Sequence, residues 1–464
     1  DERKMTIFFS ICSRAREPFK RNAVESAHPQ CYDTDGTLED DDSLTDGTMI
    51  STVVDTQRKS WVERICGALR RDDLEELEVN PEEHAIDDKD AVLISNAMRN
   101  CRGVSRLVFR NVDADKGLLV VTPVLGGNRS VTTIHLEDSG VEAVVSVAQE
   151  IARDSSQVRV LQMKGNSILR QGAQAIGDML QNSQSILQFG FCHHELSLDD
   201  ISLISQGLRY NQSLKSLDLM GNSLNDVSLA MLAKALSENQ SIEFLCLDFN
   251  DFGLVGIECL AAMLRCNANL RELHLFGNRI DTDGAKVLAE ALTYNTSLVT
   301  LVLSFNRIGD DGAIALANAL TINSTLRTLE MPSNHIGLKG LQVWAALLPQ
   351  MRGLEHLTFG DVFDAAASEA IAKGLERNTR LTALYMESPW HDECCKTEDM
   401  VDFLLRFNKC GRSLLHTQDH VPPKLWGMAL AKANQCPSRT GSPDVMYAIL
   451  RERPDLLEAA GYGR

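Results

Sequence analysis

Aromatic residues and long apolar runs are scarce in this sequence. Phenylalanine, tryptophan and tyrosine make up 5% of the 464 residues, although hydrophobic residues make up 44%. This composition predicts a folded core built mainly from leucine and alanine at regular positions. The stretch IFFSIC at residues 7–12 is far shorter than the roughly 18 apolar residues that a membrane helix needs, so we expect no membrane partner.

Basic residues are outnumbered by acidic ones. The chain has 46 lysine and arginine residues against 64 aspartate and glutamate residues, which gives a formal net charge of −18. Such a charge argues against binding to the phosphate backbone of a nucleic acid or to an anionic membrane surface. We therefore predict no nucleic-acid partner and expect a protein partner with a neutral or basic surface.

Paired cysteines and short catalytic motifs are also missing. The twelve cysteines stand at irregular spacings without a CxxC pair, which is typical of reduced thiols in a cytoplasmic protein, with the nucleus as the alternative location. The sequence contains no P-loop, GxGxxG, HExxH or GxSxG motif, the local signatures of nucleotide, zinc-peptidase and hydrolase chemistry. We expect no disulfide, no cofactor and no enzymatic activity.

Two clusters of histidine and cysteine are candidates for metal sites. They lie in FCHHEL and WHDECC, and each lacks a fourth ligand at the spacing of a zinc finger. We interpret the first as a histidine in place of a repeated asparagine and the second as a pair of loop cysteines, so no metal is predicted. The residues concerned are Cys192, His193, His194, His391, Cys394 and Cys395.

What the sequence contains instead is a repeat of constant length, kept over seven consecutive copies. In the copy SLVTLVLSFNRIGDDGAIALANALTINS, apolar residues first alternate with polar ones and then recur at intervals of three and four. This pattern predicts a strand with Leu301 and Leu303 on its inner side, followed by an amphipathic helix. One such unit cannot bury its apolar side alone, whereas stacked copies form a continuous core. The copies start at Gln157, Ser185, Ser213, Ser241, Asn269, Ser297 and Thr325.

Asparagine recurs at two positions of the repeat. The first follows each strand, where the amide can satisfy backbone groups as the chain turns. It is occupied by Asn166, Asn222, Asn250, Asn278, Asn306 and Asn334, and in less regular units by Val112, Ser139, His194, Val362 and Pro389. The second lies in N-x-S/T sequences, and its constant phase indicates a turn-forming residue rather than a glycosylation site. Its members are Asn128, Asn211, Asn239, Asn295 and Asn323.

The pattern L-x-x-L-x-L-x-x-N-x-L, which runs from Leu270 to Ile280 with Asn278 as its asparagine, resembles the leucine-rich repeat family and its ribonuclease-inhibitor-like class. The resemblance implies an α/β solenoid, or horseshoe, with parallel strands on the concave face, helices on the convex face and helical caps. It also implies a role in binding other proteins. The repeats resemble those of Ran GTPase-activating proteins and NLR-type receptors, and the C-terminal tail resembles tails of uncharacterised microalgal repeat proteins.

The limits of the repeat pattern divide the chain into four predicted parts. The run DTDGTLEDDDSLTD has seven acids and no base, which is typical of disorder. Trp61, Ile65 and Leu69 lie four residues apart, as in a capping helix. Beyond the repeats, SPWHDECCKTED is predicted to be a loop before proline-initiated helices. The parts are a disordered acidic tail over 1–54, a capping helix over 55–72, a solenoid of about 11 repeats over 73–387 and a helical capping module over 388–464.

Strand residues that point away from the predicted core offer a binding site. The candidates combine methionine and aromatic residues, which are typical of binding hot spots, with acids that can meet a basic rim on the partner. They are Met220, Phe244, Cys246, His274, Phe276, Asp218, Asp248 and Glu272. We predict a monomeric, non-catalytic scaffold that binds a protein partner on the concave face. The alternative is a GTPase-activating protein or other regulator of a Ran-type small GTPase, although such activators carry their acidic tail at the C-terminus.

Overall fold

The computed structural model describes residues 61–80, 88–112, 128–153, 156–360, 365–386, 395–409 and 445. All of them belong to one unit, which spans Thr52–Arg464. The predicted acidic tail over residues 1–54 lies outside the described residues, as do most of the predicted C-terminal module and Val362, Pro389, His391 and Cys394. No helix among the described residues is long and apolar enough to cross a membrane.

The strands of successive repeats form one parallel sheet. Twelve strands occur in the described part of the chain, and their order in the sheet is their order in the sequence. The register pairs equivalent repeat positions, so that Leu273 lies between Leu245 and Leu301. The sheet is open, as the fold prediction requires. The strands are β1 (Glu76–Val79), β2 (Arg106–Arg110), β3 (Thr133–Glu137), β4 (Val160–Lys164), β5 (Gln188–Cys192), β6 (Ser216–Asp218), β7 (Phe244–Cys246), β8 (Glu272–His274), β9 (Thr300–Val302), β10 (Thr328–Glu330), β11 (His356–Thr358) and β12 (Ala383–Tyr385).

Helices alternate with these strands and cover one side of the sheet. Leu273 of β8 and Leu288 of the following helix are both fully buried, and Ala285 beside them is small enough to let that helix lie close to the strands. One apolar core thus runs through the array. The helices are α1 (residues 61–70), α2 (Asp88–Asn100), α3 (Val141–Ile151), α4 (Leu169–Asn182), α5 (Leu198–Tyr210), α6 (Asp226–Glu238), α7 (Leu254–Cys266), α8 (Thr282–Tyr294), α9 (Gly309–Ile322), α10 (Leu338–Leu347), α11 (Ala365–Arg377) and α12 (Cys395–Lys409), with a 3-10 turn at Leu348–Gln350.

The asparagines that follow the strands form the predicted ladder. Asn278 Nδ2 donates to the carbonyl oxygen of Leu247 at 3.0 Å, and Asn278 Oδ1 accepts the backbone N–H of Asn250 at 3.1 Å. Ser139 takes over part of this role in its unit, because its hydroxyl oxygen accepts the N–H of Val112 at 3.2 Å. The ladder therefore links each strand end to the next in a region that water does not reach.

The asparagines of the N-x-S/T sequences are also buried. Asn295 Nδ2 donates to the carbonyl oxygen of Leu264 at 2.7 Å, while its Oδ1 accepts the N–H groups of Ser297 and Leu298 at 3.0 and 2.8 Å. Only 3% of Asn295 is exposed. The predicted turn-forming role is confirmed, and the amide nitrogen that a glycan would need is enclosed.

Two local predictions have different outcomes. His194 occupies the ladder position as predicted, since its backbone N–H donates to Asn222 Oδ1 at 2.8 Å and its ring stacks on Phe191 at a centroid distance of 4.0 Å. The predicted loop over residues 388–399 is wrong from Cys395 onwards, where α12 begins. This helix leads to Asn408, whose Nδ2 donates to the carbonyl oxygen of Asn378 at 2.9 Å, as the turn asparagines of the repeats do. The local repeat chemistry thus continues further than the leucine pattern.

Candidate functional site

The candidate site lies on the side of the sheet opposite the helices, which we call the open face. In the three-residue strands β6 to β9 the central leucine is buried in the core, and the residues on either side of it point the other way because side chains alternate along a strand. Because the repeats have equal length, these outward residues fall in rows across neighbouring strands. The open face is therefore where side chains from several repeats can act together.

One aromatic pair joins β7 and β8. The rings of Phe244 and His274 meet edge to face with centroids 4.9 Å apart, as neighbouring strands allow. Both side chains are half-buried. Phe244 and His274, both predicted contact residues, thus lie on adjacent strands.

A second aromatic group, which we call the phenylalanine row, consists of Phe249, Phe276 and Phe305. The ring of Phe276 lies between the other two, with centroids 4.9 Å from each. Phe249 is 42% exposed and Phe305 is 46% exposed, whereas Phe276 is half-buried. Phe276 is among the residues predicted from the sequence, but the two more exposed rings are not.

The left-handed backbone at Phe249 and Phe305 is a feature of the repeat. Phe249 and Phe305 have φ angles of 52° and 56°, in the left-handed region that bulky residues rarely adopt. Gly221 and Gly277 stand at the same repeat position with φ angles of 68° and 65°. A Cβ atom on Gly277 would lie 2.9 Å from the ring of Phe249, so glycine there also makes room for the row. What distinguishes Phe249 and Phe305 is a bulky aromatic side chain at a left-handed position that other repeats fill with glycine or a small or polar residue. The other non-glycine residues at that position are Asn111, Asp138, His193 and Ser333.

The acids of the predicted site differ in accessibility. The side chain of Glu272 is 48% exposed and lies 3.9 Å from the His274 imidazole. Asp218 and Asp248 are half-buried, and each accepts a backbone N–H, from Met220 at 3.1 Å and from Phe276 at 2.7 Å respectively. Glu272 is thus the predicted acid that is most available to a basic partner.

Cys246 is a predicted contact residue that is almost completely buried in the structure. It points to the open face but is only 5% exposed, since it lies in register between Asp218 of β6 and His274 of β8. Burial raises the pKa of its thiol, and the two neighbouring aspartates raise it further. Its Sγ, a carboxylate oxygen of Asp248 and a ring nitrogen of His274 all lie within 4.8 Å of one another. We call these three residues the Cys–Asp–His cluster.

Burial favours the neutral form of Asp248 as well. Desolvation raises the pKa of this carboxyl to about 6, and the negative charge of Asp218 adds to the effect, although the hydrogen bond from Phe276 opposes it. Met220 follows β6, and its backbone N–H donates to the Asp218 carboxylate. The eight predicted residues therefore form an aromatic part and an acidic part rather than one uniform patch.

Comparison with known proteins supports the fold. A family model described as Leucine Rich repeat matches residues 210–233, 266–289, 294–317 and 323–343. No curated protein matches the chain. Among solved structures, leiomodin-1 actin-binding site 2 is 30% identical over 29% of this chain and 77% of that chain, with a TM-score of 0.27. Rad7 in the Rad7–Elc1 complex from yeast is 14% identical over 74% of this chain and 93% of that chain, with a TM-score of 0.41. The matched repeats and the parallel sheet that they build identify the chain as a leucine-rich repeat protein.

Proposed function

We propose that the chain is a non-catalytic scaffold that binds a protein partner through the open face of its sheet. The observation that carries the proposal is the phenylalanine row, in which Phe249 and Phe305 hold exposed rings against Phe276 in a left-handed backbone. A leucine-rich repeat array presents such rings on a rigid sheet, so little conformational entropy is lost when a partner covers them.

The chemistry of the row favours an apolar contact at its centre and charged contacts around it. Aromatic side chains dominate binding energy in protein interfaces because they bury a large area with few rotatable bonds. Glu272, which is exposed beside the Phe244–His274 pair, can attract a lysine or arginine of the partner. The partner that fits this surface presents an apolar segment with basic residues beside it.

The test replaces the two exposed rings by glycine, which stands at the same repeat position in Gly165, Gly221 and Gly277. In the double variant Phe249→Gly with Phe305→Gly, we expect at least about a thirtyfold loss of affinity for the main protein captured from the native cell, because a hot-spot aromatic contributes about 2 kcal/mol or more. Thermal stability should be nearly unchanged. Each substitution relieves the strain of a left-handed residue, which is about 1–2 kcal/mol. It also removes ring contacts of about 0.5–1.5 kcal/mol per pair, so the two effects nearly cancel.

A matched control removes apolar area from the helix side. Tyr294 and Ile322 are 65% and 68% exposed at the ends of α8 and α9, so Tyr294→Ala with Ile322→Ala should leave capture unchanged. The double variant Phe244→Ala with Phe276→Ala tests the remaining aromatic residues and should also abolish capture. If both open-face double variants retain the same partner at the same level, the open face is not the binding surface.

Regulation of a Ran-type small GTPase remains the alternative. Hydrolysis of GTP by a panel of small GTPases distinguishes the two functions, because a scaffold leaves every hydrolysis rate unchanged. An accelerated rate for one GTPase would support the regulator and contradict the scaffold.

A further inference from the structure

The Cys–Asp–His cluster offers three different donor groups to one point on the open face. Cys246 and His274 are register partners on β7 and β8, and Asp248 follows Cys246 by two residues on the same side. The thiol, the carboxylate and the imidazole have their nearest atoms within 4.8 Å of one another. Sulfur, nitrogen and oxygen donors together are the ligand set that zinc and related transition metals prefer, unlike calcium or magnesium.

The surroundings of the cluster are negative and sheltered. Asp218 pairs in register with Cys246 from the opposite strand, so two carboxylates and a thiol share a half-buried region. Among the described residues, neither Asp218 nor Asp248 forms an ion pair with a basic side chain, and the ion pairs of these repeats involve other acids. A half-buried carboxylate without a protein cation is stabilised by a bound metal cation.

The donors are also held in position. Asp248 Oδ1 accepts the Phe276 N–H at 2.7 Å, which orients the carboxylate in the way that supporting residues orient metal ligands. Cys246 and Asp218 are register partners on neighbouring strands, and the Cys246 Sγ lies within 4.8 Å of a carboxylate oxygen of Asp248. His274 keeps 27% of its side chain exposed, which provides a path for an ion from solvent.

We propose that Cys246, Asp248 and His274 form a binding site for a transition-metal dication such as Zn²⁺. A tetrahedral zinc ion with bonds of about 2.0–2.3 Å holds its ligand atoms about 3.3–3.8 Å apart. The cluster reaches that spacing when its side chains move by about one ångström. Cys246 binds as the thiolate and releases its proton to solvent, while His274 binds as neutral imidazole. The fourth position faces the open side of the sheet, and the site does not depend on the proposed function.

The test uses the full chain, stripped of metal under reducing conditions. Zn²⁺ affinity is measured by competition with a chromophoric chelator, and Co²⁺ is added as a spectroscopic probe. We expect wild type to bind one equivalent with a thiolate-to-cobalt absorption band. Cys246→Ser should lose this band, and Cys246→Ser and Asp248→Asn should each weaken Zn²⁺ binding at least about 100-fold, since changes to supporting residues alone cost about 10- to 100-fold.

Controls separate this site from other thiols. Cys266 is exposed and lies outside the cluster, so Cys266→Ser should bind Zn²⁺ and Co²⁺ as wild type does. Asp248→Asn is nearly isosteric and provides a second variant if Cys246→Ser does not fold. Absence of a thiolate–cobalt band in wild type would overturn the proposal. So would an unchanged band in Cys246→Ser, because the metal would then be bound by another of the cysteines.

Discussion

At the scale of single residues, buried amides and rings decide how the repeats join. Asn278 and Asn295 each join two neighbouring repeats, because the side-chain amide of each bonds to the backbone of the repeat before it. A residue in this role cannot be exchanged for an apolar one without leaving buried backbone groups unpaired. Val112, Ser139 and His194 are exceptions among the described ladder positions, and an imidazole cannot donate and accept in the same geometry as an amide.

Replacement of Asn278 by alanine tests the ladder. Asn278→Ala removes the bond to the Leu247 carbonyl and leaves the N–H of Asn250 without its acceptor. We expect a loss of roughly 1–3 kcal/mol in the free energy of unfolding, measured by urea denaturation. Asn318, an exposed asparagine of α9, provides the control, and Asn318→Ala should change the midpoint little. An unchanged midpoint for Asn278→Ala would contradict the structural role of the ladder.

The histidine at the ladder position predicts a dependence of stability on pH. Burial lowers the pKa of His194 from about 6.5 to about 4, with the neighbouring Asn222 side chain opposing the shift and His193 adding to it. Between about pH 6.5 and about pH 4, His194 is therefore protonated in the unfolded chain but neutral in the folded chain. The free energy of unfolding falls as pH decreases through this range. At about 1.4 kcal/mol per pKa unit, the loss reaches about 3 kcal/mol.

The variant His194→Asn restores the residue that other repeats carry and should flatten this acid dependence. The measurement is the free energy of unfolding at several pH values between 4 and 7 for wild type and variant. His135, whose pKa burial also lowers to about 4, remains in both proteins, so the difference between the two curves isolates His194. Parallel curves would show that His194 does not contribute.

At the scale of elements, the start of one helix is capped by the helix before it. Asp310 lies in the first turn of α9, and its Oδ1 accepts the N–H groups of Gly337 and Gly340 at the start of α10, at 2.7 and 3.0 Å. Asp226 of α6 does the same for α7. Glycine is needed at residue 340 because a Cβ atom there would lie 2.7 Å from Asp310 Oδ1.

Loss of this cap should destabilise the contact between two repeats. We expect Asp310→Ala to lower the free energy of unfolding by about 0.5–2 kcal/mol, as removal of a helix cap does. Asp283 of α8 is an exposed first-turn acid paired with Lys286, and Asp283→Ala should cost less than about 1 kcal/mol. Thermal or urea denaturation of the two variants gives the comparison. Equal effects would mean that Asp310 acts as an ordinary surface acid.

At the scale of the whole molecule, the repeat makes the array a one-dimensional stack. Each strand pairs only with the strands before and after it, so the core grows by one repeat at a time. The predicted domain limits and the ribonuclease-inhibitor-like class stay predictions. Within the described residues the open face differs from strand to strand, which gives the stack a particular surface at β7 to β9.

Spacing along the chain is enough to predict the strands and helices of the regular repeats and both asparagine positions. Each follows from a local rule that recurs at the same point of the next repeat, and the register of the sheet keeps equivalent residues side by side. The Phe244–His274 contact could be predicted for the same reason.

Which side chains of the open face are accessible, and which of them meet, depends on the packing of the whole array. Strict alternation along β7 and β9 would turn Phe249 and Phe305 into the core, but their left-handed backbone reverses them and brings their rings to Phe276. Cys246 obeys the alternation and is nevertheless buried, because Asp218 and His274 flank it from separate strands. Alternation fixes the direction of a side chain, whereas exposure depends on neighbours that are a full repeat away in sequence and one strand away in space.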